Sequence, residues 1–282
     1  MCVTGSNRGE PLSVIIFGCG GSGCNIVSGS GGLPSETVNV SSEKMPTILL
    51  EPGLKDCRGD PALGWTLASE KTDTIKERMS GYSDVMAVCV LGGGVGSGSL
   101  SVILKCARSL KLRSVAVVGL PFSFETDRRE KALGQLNNVI RAADRTLIFD
   151  MDRALDAVEE PDIKALLEKT NRLMCDAMKR VSEMMEGPFL SLFTEKAYTV
   201  SYDDSKDPEK AAKYGMIKGF TDSDPSHGKI IVSTDSEFTD ADHDMICDAI
   251  CDQTGILPEI VPRKNGTGYG MMEFIPIAYR SL

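Results

Sequence analysis

The pattern of apolar positions predicts alternating strands and helices in the first half of the chain. Short apolar runs without polar alternation indicate buried strands, and longer segments with apolar residues at helical spacing indicate helices. The predicted strands are LSVIIF, TILLE, VMAVCVL, SVAVVGLPF and RTLIFD, and the predicted helices cover residues 62–79, 101–110 and 128–143. Parallel strands covered on both faces have this continuous apolar character, so we expect a doubly wound α/β fold with a mostly parallel sheet.

A long helix separates this half from a different C-terminal part. Apolar residues keep helical spacing over 162–186, a span of about 37 Å at 1.5 Å per residue, and Gly187–Pro188 ends the helix. Beyond it we predict an exposed polar segment, DDSKDPEKAAKYG, a strand in KIIVST and a helix over 239–253 capped by Thr239 or Asp240. ILPEIVP and MMEFIPIAY flank RKNGTG, which predicts a hairpin. The expected organisation is a first domain over 1–160, a central helix over 161–186 and a smaller mixed α+β domain over 187–282.

Charge and composition narrow the function classes. The net charge of −9 over 282 residues disfavours nucleic acid and anionic membrane as general partners. No apolar run reaches the ~20 residues of a membrane helix, and the first ten residues lack the apolar core of a signal peptide. We therefore expect a cytoplasmic protein without membrane insertion. Nine cysteines without a repeated spacing predict reduced, mostly buried thiols, and with only two histidines we predict no metal site.

Two glycine-rich segments each follow a predicted strand. FGCGGSGCN carries Gly18-x-Gly20-x-x-Gly23, and LGGGVGSGSL carries five glycines between Gly92 and Gly98. Backbone N–H groups at such turns, together with the positive end of a helix, bind phosphate without lysine. A Walker loop is excluded because no glycine–lysine pair is followed by Ser or Thr. The two segments together can hold one polyphosphate from two sides; alternatively, one of them is only a structural turn.

The first segment alone also fits a dinucleotide-binding fingerprint. In that interpretation Glu51, at the end of the next predicted strand, is the ribose-binding acid of a Rossmann oxidoreductase. Glu51 lies further along the chain than the usual ~20 residues, and such an enzyme has no need of a second glycine loop. The oxidoreductase stays open as an alternative.

Several motifs resemble the tubulin/FtsZ family. GGGVGSG resembles the signature GGGTG[TS]G, with Val95 in place of threonine. VIIFGCGGSGCNIV is similar to the first phosphate loop of FtsZ, and RGDPALGWTLASE resembles the segment that helps close the nucleotide pocket. LPFSFETDRR resembles PFxxEGxxR, and DRTLIFDMDRAL resembles the strand and loop beside the guanine. The motifs follow the family's order over nearly the whole chain.

The resemblance implies a GTP- or GDP-binding cytoskeletal protein of the cell-division type, with Mg²⁺ as a further candidate ligand. It also implies head-to-tail self-association into filaments in which each subunit completes the next one's active site. The residues that it implies for the phosphates are Gly18, Gly20, Gly21, Ser22, Gly23, Asn25, Gly92, Gly93, Gly94, Val95, Gly96, Ser97 and Gly98. Glu125 and Arg129 would meet the ribose and phosphate region, and Asn171 would read the guanine. For Glu125 and Arg129 the alternative is a surface ion pair, and for Asn171 it is an ordinary amide on a helix face.

The loop after the long helix departs from the family. It reads GPFLSLFTE where FtsZ has roughly GxxNxDFxD. Leu190 and Leu192 occupy the positions of the asparagine and the first aspartate, and leucine can neither orient water nor help hold magnesium. We therefore predict weak or absent GTP hydrolysis, with Glu195 as the remaining candidate catalytic residue.

One further departure from the family and two alternative functions stay open. Arg172 replaces the acid that suits the guanine N–H groups and presents only donors, so phosphate binding is better supported than guanine specificity. An active GTPase remains possible if Glu195 or the Asp203–Asp204 pair supplies the acid. A scaffold that has lost nucleotide binding is the third alternative.

Overall fold

The computed structural model describes residues 12–152, 162–185, 189–203, 229–234, 238–262 and 271–277. Most of the polar segment DDSKDPEKAAKYG and all of RKNGTG lie outside these ranges. Within them, no helix has both the length and the apolar content needed to cross a bilayer.

One sheet runs through the described part of the chain. Its strands, in chain order, are β1 Leu12–Cys19, β2 Ser35–Asn39, β3 Ile48–Leu49, β4 Tyr82–Val90, β5 Arg113–Leu120, β6 Arg145–Asp150, β7 Ala197–Asp203, β8 Ile231–Thr234, β9 Glu259–Pro262 and β10 Met271–Pro276. Their spatial order is β3-β2-β1-β4-β5-β6-β7-β10-β8-β9. Neighbouring strands are parallel, except that β10 is antiparallel to β7 and β8. The predicted mostly parallel sheet is confirmed.

Helices cover both faces of this sheet. They are α1 Gly20–Val27, α2 Pro61–Ser69, α3 Thr72–Met79, α4 Gly94–Ser109, α5 Thr126–Ala142, α6 Ile163–Met185, α7 Phe189–Leu192 and α8 Asp240–Thr254. Alternate residues of the central strands enter two cores. Phe17 and Ala87 face the core under α2–α5, whereas Ile16 and Val88 face the core under α1 and α6. Burial on both sides explains the continuous apolar runs and confirms the doubly wound prediction.

Two N-terminal predictions need correction. The second strand of the chain is β2, whose sequence SETVN alternates between half-buried and buried positions, and TILLE contributes only the two residues of β3. The predicted helix over 62–79 is two helices, because the backbone leaves helical geometry at Lys71. Leu67 and Ala68 of α2, and Ile75 and Met79 of α3, are buried in the same core.

The helix predicted over 101–110 begins earlier than expected and includes part of the second glycine-rich segment. α4 begins at Gly94, so Gly94, Gly96 and Gly98 all lie within it. A Cβ on Gly98 would lie 2.6 Å from the carbonyl carbon of Gly64 in α2. The glycines allow the backbones of α2 and α4 to pack closely, which offsets their low helix propensity.

The C-terminal part confirms the predicted helices and contradicts the hairpin. α6 matches the long central helix, and α8 starts with a capping box in which Thr239 is the N-cap and Asp242 the partner. β9 pairs with β8 and β10 with β7 and β8, so β8 separates the two predicted hairpin strands. β7–β10 continue the same sheet, and the domain boundaries at 160 and 187 stay a prediction.

The cysteines described by the structure are free thiols. Six are buried, whereas Cys247 and Cys251 on α8 are half-buried. Burial raises the pKa of Cys24 to about 11 and that of Cys89 to about 12. These thiols therefore stay protonated at neutral pH and behave as small apolar side chains.

Candidate functional site

A cleft of about 580 Å³ opens at the carboxyl ends of β1 and β4. The chain leaves β1 toward β2 and β3 on one side and returns to β4 on the other. Ligands of doubly wound proteins bind at such a reversal of strand order. Both glycine turns reach this cleft, and their lining residues are Gly20, Gly21, Ser22, Gly93, Gly94, Val95 and Gly96.

The two turns contact each other. Gly20 has φ of +68°, and a Cβ there would lie 2.7 Å from the backbone nitrogen of Gly96. The Ser22 hydroxyl accepts a hydrogen bond of 3.1 Å from the Val90 N–H. The N-termini of α1 and α4 are therefore held side by side at one cleft, where their unpaired N–H groups suit an anion.

Only some of the glycines face open space. A Cβ on Gly21 or Gly93 would meet no atom within 4 Å. A Cβ on Gly18 would lie 2.6 Å from the carbonyl oxygen of Gly23, and one on Gly94 would lie 2.8 Å from that of Asp60. Gly21 and Gly93 thus offer bare backbone to a ligand, whereas Gly18 and Gly94 are required for packing.

Other predicted residues lie behind the lining or beside it. Gly92, with φ of +82°, packs against the Arg128 backbone. The hydroxyl of Ser97 is buried and has no hydrogen-bond partner in the described residues. Asn25 is exposed, and its Oδ1 accepts a hydrogen bond of 3.0 Å from Lys44 Nζ. Gly23 and Gly98 are buried in α1 and α4.

Four cationic side chains line the cleft and were missed in the sequence analysis. They are Lys44, Lys55, Arg58 and Arg128, and Asp56 is the one acidic residue among the described lining residues. RGDPALG, which resembles a pocket-closing segment, already contained Arg58. Lys44 follows β2 closely in the chain, so it could not be placed while β2 itself was missed.

Arg129 and Glu125 differ in their surroundings. Arg129 donates hydrogen bonds of 2.9 and 2.6 Å to the two carboxylate oxygens of Asp150, and this pairing raises its pKa. It does not line the cleft, whereas its neighbour Arg128 does. Glu125 Oε2 accepts a 2.8 Å hydrogen bond from Arg128, while its buried Oε1 has no partner in the described residues. A ligand role for Glu125 or Arg129 stays a prediction.

Asn171 lies on α6, which covers the same face of the sheet as α1. It is half-buried and comes three residues before Met174, whose sulfur would lie 3.2 Å from a Cβ on Gly119 near the end of β5. Asn171 is not among the described residues that line the cleft. Its contact with a base stays a prediction.

Glu195 lies at the opposite end of the parallel strands from the cleft. β7 begins at Ala197, which pairs with Thr146 at the amino end of β6, so Glu195 sits near the amino ends of the parallel strands. At ~3.3 Å per residue, strands of this length place it about 20–25 Å from the cleft. Glu195 therefore cannot serve the cleft of its own chain.

The loop around Glu195 packs into the core. Leu192 is half-buried against the apolar cluster under α6. Phe193 is buried, and its ring centroid lies 4.8 Å from that of Tyr198. The Leu190 side chain lies outside the described residues. Of the alternative acids, Asp203 ends β7, three strands away from β4, and Asp204 lies outside the described residues.

The structure does not place an acidic residue where the oxidoreductase interpretation requires one. A ribose-binding acid would follow the second strand of the βαβ unit, and this strand, β2, ends at Asn39. Asn39 lines the cleft and its Oδ1 accepts a hydrogen bond from the Val40 N–H. Glu51 follows β3 instead, is exposed and does not line the cleft.

Comparisons with known proteins point to one family. The model of the Tubulin/FtsZ family, GTPase domain, matches residues 52–159. Cell division protein FtsZ 1 of Pyrococcus horikoshii is 30% identical over 190 residues, which are 62% of this chain and 51% of that protein. The chain thus spans about half the length of the curated relatives it matches.

The fold agrees with these matches. A structure titled FtsZ dimer, empty, from M. jannaschii, superposes with a TM-score of 0.75 at 19% identity, covering 98% of this chain and 90% of that one. CetZ2 from Haloferax volcanii, as a GTPγS-bound protofilament, gives a TM-score of 0.74 at 13% identity and covers 95% and 94%. Residues 52–159 therefore belong to the Tubulin/FtsZ family, GTPase domain, and the described part of the chain has an FtsZ-like fold.

Proposed function

We propose that this chain binds a guanine nucleotide, GTP or GDP, in the cleft at the carboxyl ends of β1 and β4. The observation that carries the proposal is the meeting of two glycine turns, each at a helix N-terminus, on one cleft. The four cationic side chains in the same wall suit a polyphosphate on a chain that is otherwise acidic.

The nucleotide released from the purified, denatured protein tests this proposal. Chromatography with mass detection is expected to find GTP or GDP at a substantial fraction of one per chain. NAD would support the oxidoreductase instead. An empty protein that also fails to bind added GTP in calorimetry would support the scaffold alternative and overturn the proposal.

The second part of the proposal is head-to-tail self-association. The cleft and the loop that carries Glu195 lie at opposite ends of the parallel strands, so a second copy is required to bring them together. Met45 is 85% exposed next to Lys44, and Phe124 is 55% exposed next to Glu125. Apolar side chains around the mouth of the cleft suit a surface that another copy covers. Two of the similar structures are described as a dimer and a protofilament.

The third part is that hydrolysis is weak or absent. The loop that would supply polar groups to a neighbour's cleft contributes Leu192 and Phe193 to the protein's own core. Glu195 is the acid that remains there, and its backbone N–H donates to the Tyr198 hydroxyl at 3.0 Å. One carboxylate without a water-positioning partner suits slow turnover.

A further inference from the structure

The wall of the cleft is strongly positive. Its four cations and one carboxylate give +3, and Glu125, which pairs with Arg128, lowers the side-chain charge to +2, on a chain whose net charge is −9. The N-termini of α1 and α4 each add about half a positive charge. The total, about +3, is concentrated in one small region of an acidic protein.

These cations come from separate segments that converge on the first turn of α4. The segment before α2 lies against that turn, because a Cβ on Gly94 would be 2.7 Å from the Cβ of Cys57. This segment carries Lys55 and Arg58. Arg128 approaches from the other side, where its backbone contacts Gly92.

Among the described residues, the side chains of Lys55 and Arg58 have no competing partner. Neither forms an ion pair within the described part of the chain, and both side chains belong to exposed residues. The carboxylate between them, Asp56, already accepts a 2.6 Å hydrogen bond from the Arg58 N–H. That bond holds Arg58 in a left-handed conformation with φ of +49°, a conformation that bulky residues rarely adopt away from functional sites.

The same wall does not fit a magnesium ion held by the protein. Magnesium requires near-octahedral oxygen coordination and keeps several waters. With Asp56 as the one carboxylate in the described lining, most of its ligands would have to be phosphate oxygens and water rather than protein groups. Across the described residues, no group of three or more His, Cys, Asp or Glu side chains is arranged to hold a metal.

We infer that Lys55 and Arg58, supported by Lys44 and Arg128, provide the counter-charge that a metal ion would otherwise bring to the polyphosphate. The site then binds a nucleoside triphosphate in its metal-free form. Such a molecule carries about four negative charges at pH 7, since its terminal phosphate carries about −1.5 to −2 and each other phosphate carries one. This charge is opposite in sign to that of the cleft and close to it in size. The inference rests on the proposed function.

Calorimetric titration with GTP, in excess Mg²⁺ and again in EDTA, tests this inference. The wild-type affinity is expected to be similar in the two conditions. Lys55→Ala with Arg58→Ala should weaken binding in EDTA by about tenfold or more, because charge-assisted hydrogen bonds to phosphate are lost. Added Mg²⁺ should restore much of the lost affinity in this variant. Titration with inorganic tripolyphosphate should show the same pattern without any contribution from the base.

The matched control is Lys76→Ala with Lys111→Ala, which removes two positive charges far from the cleft. Lys76 lies in the last turn of α3 and Lys111 precedes β5, both near the amino ends of the strands. Thermal unfolding checks that both double variants are folded. Wild-type binding that requires Mg²⁺, or equal behaviour of the two double variants, overturns the inference alone. Absence of binding by the wild type in both conditions overturns the proposed function as well.

Discussion

At the residue scale, glycines within the same two glycine-rich segments have different roles. Gly21 and Gly93 leave open space at the cleft, and Gly93 has an extended backbone that alanine tolerates. We predict that Gly21→Ala and Gly93→Ala each weaken GTP binding by at least about tenfold, since a methyl group occupies the phosphate position. Calorimetry measures this, with unchanged unfolding midpoints as the check on folding.

Gly134→Ala is the matched control for these substitutions. Gly134 lies in α5 with nothing within 4 Å of an added Cβ, so alanine should leave affinity unchanged and raise helix stability by up to about 1 kcal/mol. If Gly93→Ala binds GTP as well as Gly134→Ala does, the phosphates do not lie on this turn.

Recognition of the guanine base by Asn171 is tested separately from phosphate binding. We predict that Asn171→Ala weakens GTP binding by several-fold while tripolyphosphate binding stays the same, because the side chain lies away from the described phosphate-facing lining. Parallel titrations with GTP, ATP and tripolyphosphate measure the difference. Equal losses for all three ligands would mean that Asn171 acts through folding rather than recognition.

At the scale of elements, the close packing of α2 on α4 explains glycines that no ligand requires. A Cβ on Gly98 would lie 2.6 Å from two backbone atoms of α2, which cannot rotate away. We predict that Gly98→Ala lowers the free energy of unfolding by about 1–3 kcal/mol, as overpacked cores do. Urea unfolding measures this against Gly134→Ala. A Gly98→Ala protein as stable as the wild type would show that the two helices can separate without cost.

The elements also show how far the sequence can be interpreted. Strands buried on both faces, such as β4, β5 and β6, were predicted because burial leaves a continuous apolar run. β2 was missed because half-buried positions interrupt its apolar pattern. The hairpin was wrong because β8 and β9 pair in parallel through α8, so that β8 takes the place between β9 and β10. The glycine turns were found by local pattern, whereas Lys44, Lys55, Arg58 and Arg128 converge only through tertiary structure.

At the scale of the whole molecule, the mostly parallel sheet separates the two parts of the candidate site. The cleft lies at the carboxyl ends of the strands, and the loop with Leu192 and Glu195 lies near their amino ends. In a stack of copies related by translation, the loop of one copy faces the cleft of the next. In the proposed head-to-tail arrangement, any hydrolysis would be a property of the contact between copies, and the identity of the loop residues would decide the rate.

We therefore predict that the wild type turns over GTP about 10²–10⁴-fold more slowly than an FtsZ with intact acids, since this is the usual contribution of general-base help. Leu190→Asn with Leu192→Asp should raise the rate, and the rate per chain should climb with protein concentration as copies associate. Leu133→Asp, which adds a carboxylate to the exposed side of α5, is the control and should leave turnover unchanged. Phosphate release measures all three proteins. Fast wild-type turnover that is insensitive to Leu192 substitution would show that another part of the chain supplies the acid.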